Sequence, residues 1–380
     1  MIDLNRRIRV LWLGPILDEA TLHVFPAVSP AANRWQQALV LALSAAGADT
    51  FVIQHVPEPA WPRGKFWLDR SHAALPFNID GSIAGYFNVP GFRFQSIARG
   101  YRQEYTAYHA HYGRPDFLCT YNSSLANDGL ARYLRERYGV PWITIVADGE
   151  APQEADGLVF LSWGYFTSFR SDRKLHLDGG VSRLPAAPPA VKAANQSQVI
   201  LYSGAMTKYG GVELLVKAFE GIANPHVELW LCGKGQHQAV EQAVARDARI
   251  KCFGFVAEEE LVRLSTKADM FINPRPSSVQ GNEKNFPSKV LEYLTYGKPV
   301  VSTWTPGLAP EYRDVLFVLD EETPECLAHA IHTVLQFNSG DLKQTFFRTQ
   351  SFLESSRTWQ IQASRLLAWL TQTSLLSRKQ

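Results

Sequence analysis

Ser288, Lys289 and Glu292 stand within about one helical turn of one another in the stretch NFPSKVLEYLTYGKPVVS, Asn285 to Ser302. Pro287 opens a predicted helix there, and Gly297 closes it before a buried strand. On a helical wheel Val290, Leu291 and Leu294 form the apolar stripe, which leaves Ser288, Lys289 and Glu292 on the other side, facing away from the core. A helix N-terminus presents free N–H groups and a partial positive charge, so phosphate is favoured there. A carboxylate one turn further on can accept ribose hydroxyl protons. Together these residues describe a site for a nucleoside diphosphate. For Glu292 the plain alternative is a solvated helix carboxylate.

Such residues need strands to hold them. Short β-rich apolar runs alternate with helical patterns from Ile8 to Leu13 onward: Asn33 to Ala46, Phe51 to Val56, Phe117 to Tyr121, Ser124 to Tyr138, Trp142 to Val146 and Gly157 to Ser162. That alternation predicts a parallel, doubly wound sheet. Between Pro57 and Gly113 no period lasts, and the segment reads as an insertion with short helices. From Asp178 to Gln198 Gly, Pro and Ala dominate, as in an interdomain linker. A second series follows, with strands at Gln198 to Ser203, Val227 to Cys232, Ile250 to Phe253, Asp269 to Asn273, Pro299 to Ser302 and Val315 to Leu319, and a helix at Val212 to Ile222. The fold class expected is α/β, two Rossmann-like doubly wound domains facing across a cleft. Residues 1–185 form the first domain and 186–355 the second. A final helix, within 356–380, packs back toward the N-terminal domain.

In open α/β sheets ligands sit beyond the carboxyl ends of the strands, so the loops after the second-series strands carry the most weight. The first is Gly204 to Gly211, GAMTKYGG, where glycines permit close backbone approach and Lys208 can meet a phosphate. Next come Gly233, Lys234 and Gly235, again short and backbone-accessible. Gly254, Phe255 and Val256 then offer a place where a flat base can stack or meet backbone amides. Arg275, in Asn273-Pro274-Arg275-Pro276, lies at a strand's carboxyl end, where a guanidinium can bind phosphate bidentately. Taken singly, each loop reads equally well as a plain turn, a solvated lysine or a structural ion pair.

Taken in order they carry a resemblance. The run from Tyr202 to Phe219, then LWLCGKGQ, RIKCFGFV, ADMFINPRP and NFPSKVLEYLTYGKPVVST, resembles the donor half of a GT-B glycosyltransferase. It is most similar to the large retaining family 4, glycosyl transferases group 1, and to members that build bacterial polysaccharides, over residues 198–335. The resemblance implies a nucleotide-sugar held by the C-terminal domain, an acceptor on the N-terminal one, chemistry in the cleft between them, and no metal or cofactor. It implies that Glu292 holds the ribose hydroxyls and that the Ser288 and Lys289 backbone N–H groups hold the diphosphate. Gly204, Gly233, Phe255 and Val256 would complete the donor site, and Lys208 and Arg275 would neutralise the departing phosphate. Two positions depart from the family: Lys284 stands where a glutamate is common, with Glu283 one residue out of register, and Ala205 and Lys208 shift the first phosphate loop.

On the acceptor half, Asp148 follows the strand ending at Val146, and Tyr121 and Asn122 end the strand before it. His109 and His111 are further candidates for contact with an acceptor hydroxyl. From Phe92 to Tyr112 arginines mix with aromatic residues, a composition that suits anionic lipid headgroups or a lipid-linked acceptor; packing is the alternative. The partners expected are a nucleoside-diphosphate sugar and a glycan or lipid-linked glycan, with peripheral membrane contact.

Composition sets outer limits. At 380 residues, 46% apolar and 19% charged, the chain suits two packed domains rather than disorder. A net charge of +2 argues against a dedicated nucleic-acid binder. Cys119, Cys232, Cys252 and Cys326 form no CxxC pair and have no His at zinc spacing, so buried free thiols in a reducing cytoplasm are expected. No apolar run is long enough to span a bilayer. Transfer of a sugar to a hydroxyl is the leading functional expectation. A nucleotide-sugar epimerase and a non-catalytic scaffold are the alternatives. A dinucleotide oxidoreductase is weaker still, because the first strand runs into Gly14-Pro15-Ile16 and not into a glycine fingerprint.

Overall fold

The computed structural model describes residues 7–18, 21–22, 28–71, 75–193, 196–282 and 284–372. The chain divides into two compact units. One comprises Met1–Leu161, Phe169–Gly180 and Trp359–Gln380, and the other Ser162–Ser168 and Val181–Thr358. Each is built on a parallel sheet.

The first unit runs β1 (Arg9–Leu13), α1 (Pro30–Ala45), β2 (Asp49–Gln54), β3 (Trp67–Leu68), β4 (Gly81–Ile83), β5 (Tyr86–Phe87), α2 (Arg93–Tyr112), β6 (Phe117–Tyr121), α3 (Leu125–Tyr138), β7 (Trp142–Val146), β8 (Gly157–Phe160) and β9 (Lys174–His176). Its seven-stranded sheet has the order β4-β2-β1-β6-β7-β8-β9, with every pairing parallel. The order reverses between β1 and β6, which is where a doubly wound sheet opens its ligand crevice. The central strands are apolar on both faces: Leu11, Leu13, Leu118, Ile143 and Ile145 are fully buried. Polar side chains tie down the loop after β1. Gln54 both accepts from and donates to the backbone of Ile16, at 2.6 and 2.9 Å, and Asn33 does the same to Leu17 at 2.9 Å in both directions.

The segment Pro57 to Gly113 differs from the expected run of short helices. It contains one 20-residue helix, α2, and a small antiparallel ribbon of β3 and β5. Ile97, Tyr101, Tyr105 and Tyr108, four, four and three residues apart, make the buried stripe of α2. Tyrosine is a core residue here, so a reading that counts it as polar sees no period. The aromatic residues thought to meet lipid from within 92–112 are therefore largely interior.

The second unit runs α4 (Trp163–Ser168), β10 (Gln198–Ser203), α5 (Val212–Glu220), β11 (Val227–Cys232), α6 (Gln238–Arg246), β12 (Ile250–Gly254), α7 (Glu258–Lys267), β13 (Met270–Asn273), α8 (Lys289–Leu294), β14 (Val300–Ser302), β15 (Phe317–Val318), α9 (Pro324–Leu335) and α10 (Ser339–Ser356). Its sheet order, β12-β11-β10-β13-β14-β15, reverses between β10 and β13, and all pairings are parallel. Ile200, Leu215, Phe219, Leu229, Ile272 and Val301 fill its core. The last helix, α11 (Trp359–Gln372), belongs to the first unit and packs on α1, where the Trp35 and Trp359 rings meet edge-on with centroids 5.7 Å apart. Residues 373–380, the remainder of the range expected to hold this helix, and Glu283 lie outside the described residues. The cysteines are free thiols, as expected. Cys119 and Cys232 are buried, whereas Cys252, on edge strand β12, is exposed.

Candidate active site

The loops at the carboxyl edge of the second sheet are knitted together before any ligand is considered. The Gly204 N–H donates to the Cys232 carbonyl at 2.9 Å, the Gly233 N–H to the Gly254 carbonyl at 2.8 Å, and the Met206 N–H to the Lys234 carbonyl at 2.8 Å. These bonds revise the reading of Gly204 and Gly233. Their amides are spent between loops, and the glycines serve close approach instead: a Cβ on Gly233 would sit 1.6 Å from the Gly204 carbonyl oxygen. Gly211 does likewise on the other side. Its φ of +78° is left-handed, and a Cβ there would lie 1.9 Å from the Pro274 carbonyl oxygen. The loop carrying Lys208 is thereby pressed against the loop carrying Arg275.

Arg275 follows β13 directly, at the reversal of strand order. Its Nη1 is buried and has no hydrogen-bond partner. Burial pushes the guanidinium below its ordinary pKa, and the nearby Tyr202 phenol offsets part of that. Tyr202 gives its own hydroxyl to the Ala205 carbonyl at 2.8 Å, and burial holds its pKa well above the usual value. A buried cation with an empty donor is costly to the fold, and an anion is the group that would relieve it. Lys208 opens a short 3₁₀ turn, Lys208–Gly210, and its side chain is exposed.

The short helix α8 starts at Lys289, two residues later than Pro287 suggests. Ser288 is exposed but its N–H donates to the Phe286 carbonyl at 2.9 Å, so it is committed to the turn and is not a free phosphate donor. Val290, Leu291 and Leu294 are buried as the helical wheel requires, while Lys289 and Glu292 are half-buried and paired at 2.8 Å. A residue outside the expected stripe fixes the helix in place. The Tyr293 hydroxyl accepts the Ser203 N–H at 2.7 Å, donates to the Ser203 carbonyl at 3.0 Å, and its ring stacks on Phe271 at 4.7 Å. Glu292 is thus bolted to the end of β10. Sequence periodicity had no means of finding this, because the partner is backbone 90 residues away.

Phe255 presents an exposed ring with the Lys234 ammonium 4.4 Å from its centroid, and Val256 beside it is half-buried. Lys284 lies 5.1 Å over the Tyr165 ring.

In the first unit, Asn122 adopts φ +55° at the end of β6 and donates its side-chain Nδ2 to Asp148 at 2.6 Å, while its side-chain Oδ1 accepts the Ala147 N–H at 2.8 Å. Asp148 and Asn122 therefore form one polar cluster at the carboxyl ends of β6 and β7. His109 and His111 do not join it. They lie in the last turn of α2, whose final residue, Tyr112, gives its carbonyl to Arg9 at the start of β1, so they sit at the amino ends of the strands. His55 went unnoticed in the sequence. It follows β2, its Nδ1 is 2.7 Å from the Tyr101 hydroxyl, and burial together with the Arg93 charge lowers its pKa to about 4.

With this geometry in place, comparison with known proteins is direct. Residues 197–336 match the family glycosyl transferases group 1. The second unit carries a glycosyl transferases group 1 domain. The two-sheet architecture is that of GT-B glycosyltransferases. A sucrose-phosphate synthase from Thermosynechococcus elongatus superposes with a TM-score of 0.66 at 17% identity, over 96% of this chain and 99% of that one. A glycosyltransferase from Rickettsia africae gives 0.70 at 13%, over 99% and 100%. HepE from Anabaena, solved with UDP and glucose, gives 0.63 at 14%, over 96% and 100%. Among curated proteins none matches the sequence. By its group 1 domain the chain is a glycosyltransferase, and Lys208, Arg275, Lys289 and Glu292 all fall inside that domain.

Proposed function

We propose that the protein is a retaining, metal-independent glycosyltransferase that moves a sugar from a nucleoside-diphosphate sugar to a hydroxyl of a glycan or lipid-linked glycan. The observation that carries this is the buried, unpartnered Nη1 of Arg275 at the strand-order reversal of the group 1 domain. HepE, which shares the fold, was solved with UDP and glucose, and that supports a nucleotide-sugar as the donor here. In this reading the diphosphate completes the Arg275 donor set, Lys208 closes over it from the exposed side, and Glu292, held by Lys289, accepts the ribose hydroxyls. Phe255 and Val256 face the base. As the glycosidic bond breaks, negative charge grows on the leaving phosphate, and fixed cations stabilise it more than they stabilise the ground state. The departing phosphate oxygen takes the acceptor proton on the same face, which retains the anomeric configuration. Asp148 orients the acceptor hydroxyl.

The test is product analysis. Purified protein is given a panel of nucleotide-sugars with and without glycan acceptors, in EDTA, and the anomeric proton of any product is read by NMR. Transfer with retained configuration supports the reading. Turnover only in the absence of acceptor, to a changed or free sugar, would replace it with an epimerase or hydrolase.

A further inference from the structure

The ribbon of β3 and β5 and the loop before it hold large rings out in water. Trp61, Phe66, Trp67 and Phe87 are 48%, 53%, 40% and 44% exposed. They touch one another: Trp61 to Phe66 at 6.2 Å, Phe66 to Phe87 at 5.9 Å and Trp67 to Phe87 at 4.5 Å between centroids. Phe92 and Phe94, next along the chain, are also about half exposed, with the Arg93 guanidinium 5.5 Å from the Phe94 ring. A contiguous apolar patch of this kind marks an interaction surface.

The rings are not displayed by a loose loop. Asn88, fully buried, donates its side-chain amide to the Pro59 and Lys65 carbonyls at 2.6 and 3.0 Å. Its backbone N–H donates to the Phe66 carbonyl at 2.8 Å, and its own carbonyl accepts the Trp61 N–H at 3.0 Å. The Phe87 N–H donates to the Ser96 hydroxyl at 2.9 Å, which ties the ribbon to α2. One buried asparagine thus fixes both edges of the display.

Charge selects the occupant. From Trp61 to Arg70 the chain carries three cations and one acid: Arg70 is paired with the buried Glu104 of α2, Asp69 is engaged by the Trp67 indole N–H at 2.6 Å, and Arg63 and Lys65 are the cations left beside the rings, with the Glu58 carboxylate accepting the Lys65 N–H at 3.2 Å. Arg63 and Lys65 are exposed and alternate with the rings. A second copy docked on this face about a two-fold axis would set like charges against each other. The rings meet edge-on or tilted, at 84°, 68° and 53°. Tryptophan and phenylalanine edges interleaved with cations are what the interface of an anionic bilayer accepts.

We propose that the exposed rings of Trp61, Phe66, Trp67 and Phe87, with Arg63 and Lys65 among them, form a membrane-docking surface that seats the first unit on an anionic lipid bilayer. This locates the peripheral contact expected of an enzyme with a lipid-linked acceptor, and it rests on the preceding reading only for its purpose. Binding would be peripheral, since no helix among the described residues is long and apolar enough to cross a membrane.

The experiment is vesicle flotation of the full-length protein, using phosphatidylcholine vesicles and vesicles containing phosphatidylglycerol. The wild type is expected to float with the anionic vesicles, to float far less with the neutral ones, and to be released as salt is raised. Trp61→Ser with Phe66→Ser, and separately Arg63→Glu with Lys65→Glu, should each lower partitioning by roughly tenfold or more. Thermal unfolding and UDP titration of the same variants should match wild type. Folded wild type left behind by both vesicle types overturns the proposal. So does flotation that is the same in the variants, or a ring-dependent dimer or soluble-glycan complex in place of vesicle binding. Flotation with no nucleotide binding would instead remove the donor-site reading and leave the membrane surface standing.

Discussion

Arg275 is the residue on which the donor site turns, because its cost and its use have the same origin. A guanidinium nitrogen buried without a partner, as Nη1 is here, destabilises the empty fold and favours binding of an anion. Arg275→Met is therefore expected to raise unfolding free energy by about 1–3 kcal/mol in urea titration while weakening UDP binding roughly ten- to a hundredfold. A variant that loses both stability and binding would show that the arginine is structural. Glu292→Ala should cost about 1–3 kcal/mol of nucleotide affinity with the fold intact, and unchanged affinity would remove its ribose role. Both residues were legible in sequence because strand-end position and helix face follow from periodicity. The amides of Gly204, Gly233 and Ser288 were not, because whether an N–H is already spent depends on carbonyls supplied by other turns and loops.

At the scale of elements, the short helix bearing Glu292 depends on the Tyr293 hydroxyl and its two bonds to Ser203. Tyr293→Phe leaves the ring stack in place but strands a buried N–H and C=O. It should cost about 1–3 kcal/mol and weaken nucleotide binding although the residue touches no ligand in this reading; circular dichroism melts and UDP titration on one preparation check both. Gly211→Ala combines left-handed backbone with a collision at Pro274, so expression of a folded protein at wild-type stability would contradict the loop packing described above. Most strands of the two sheets and their parallel pairing were readable from apolar runs and turn residues, while the order of the strands was not. The long helix α2 was not, since its core stripe is made of tyrosines, and the small ribbon of β3 and β5 has strands of two residues that leave no periodic trace.

Across the whole molecule, the chain uses one architecture twice, with different polar equipment at the two strand-order reversals. The first carries Asn122 and Asp148, an acid held by an amide, and the second a buried arginine with a lysine nearby. Between about pH 6.5 and 4 the first unit contributes an acid sensitivity of its own. His55 titrates near 4 when folded and near 6.5 when unfolded, so between those values the unfolded chain binds more protons. Stability is fully present above about 6.5 and falls as pH drops toward 4, by at most about 3 kcal/mol. His55→Gln should flatten that slope in urea titrations across the window. Composition and length foretold two packed α/β domains. The assignment of residues 162–168 to the second unit depends on long-range contacts that no local pattern records.

The most direct measurement is calorimetric titration of wild type, Arg275→Ala and Glu292→Ala with UDP, GDP, ADP and TDP in EDTA. Selective binding of one nucleotide by wild type, lost or weakened at least roughly tenfold in both variants, is the predicted result. Folded wild-type protein that binds none of the four, or that binds one equally well without Arg275, would contradict the account.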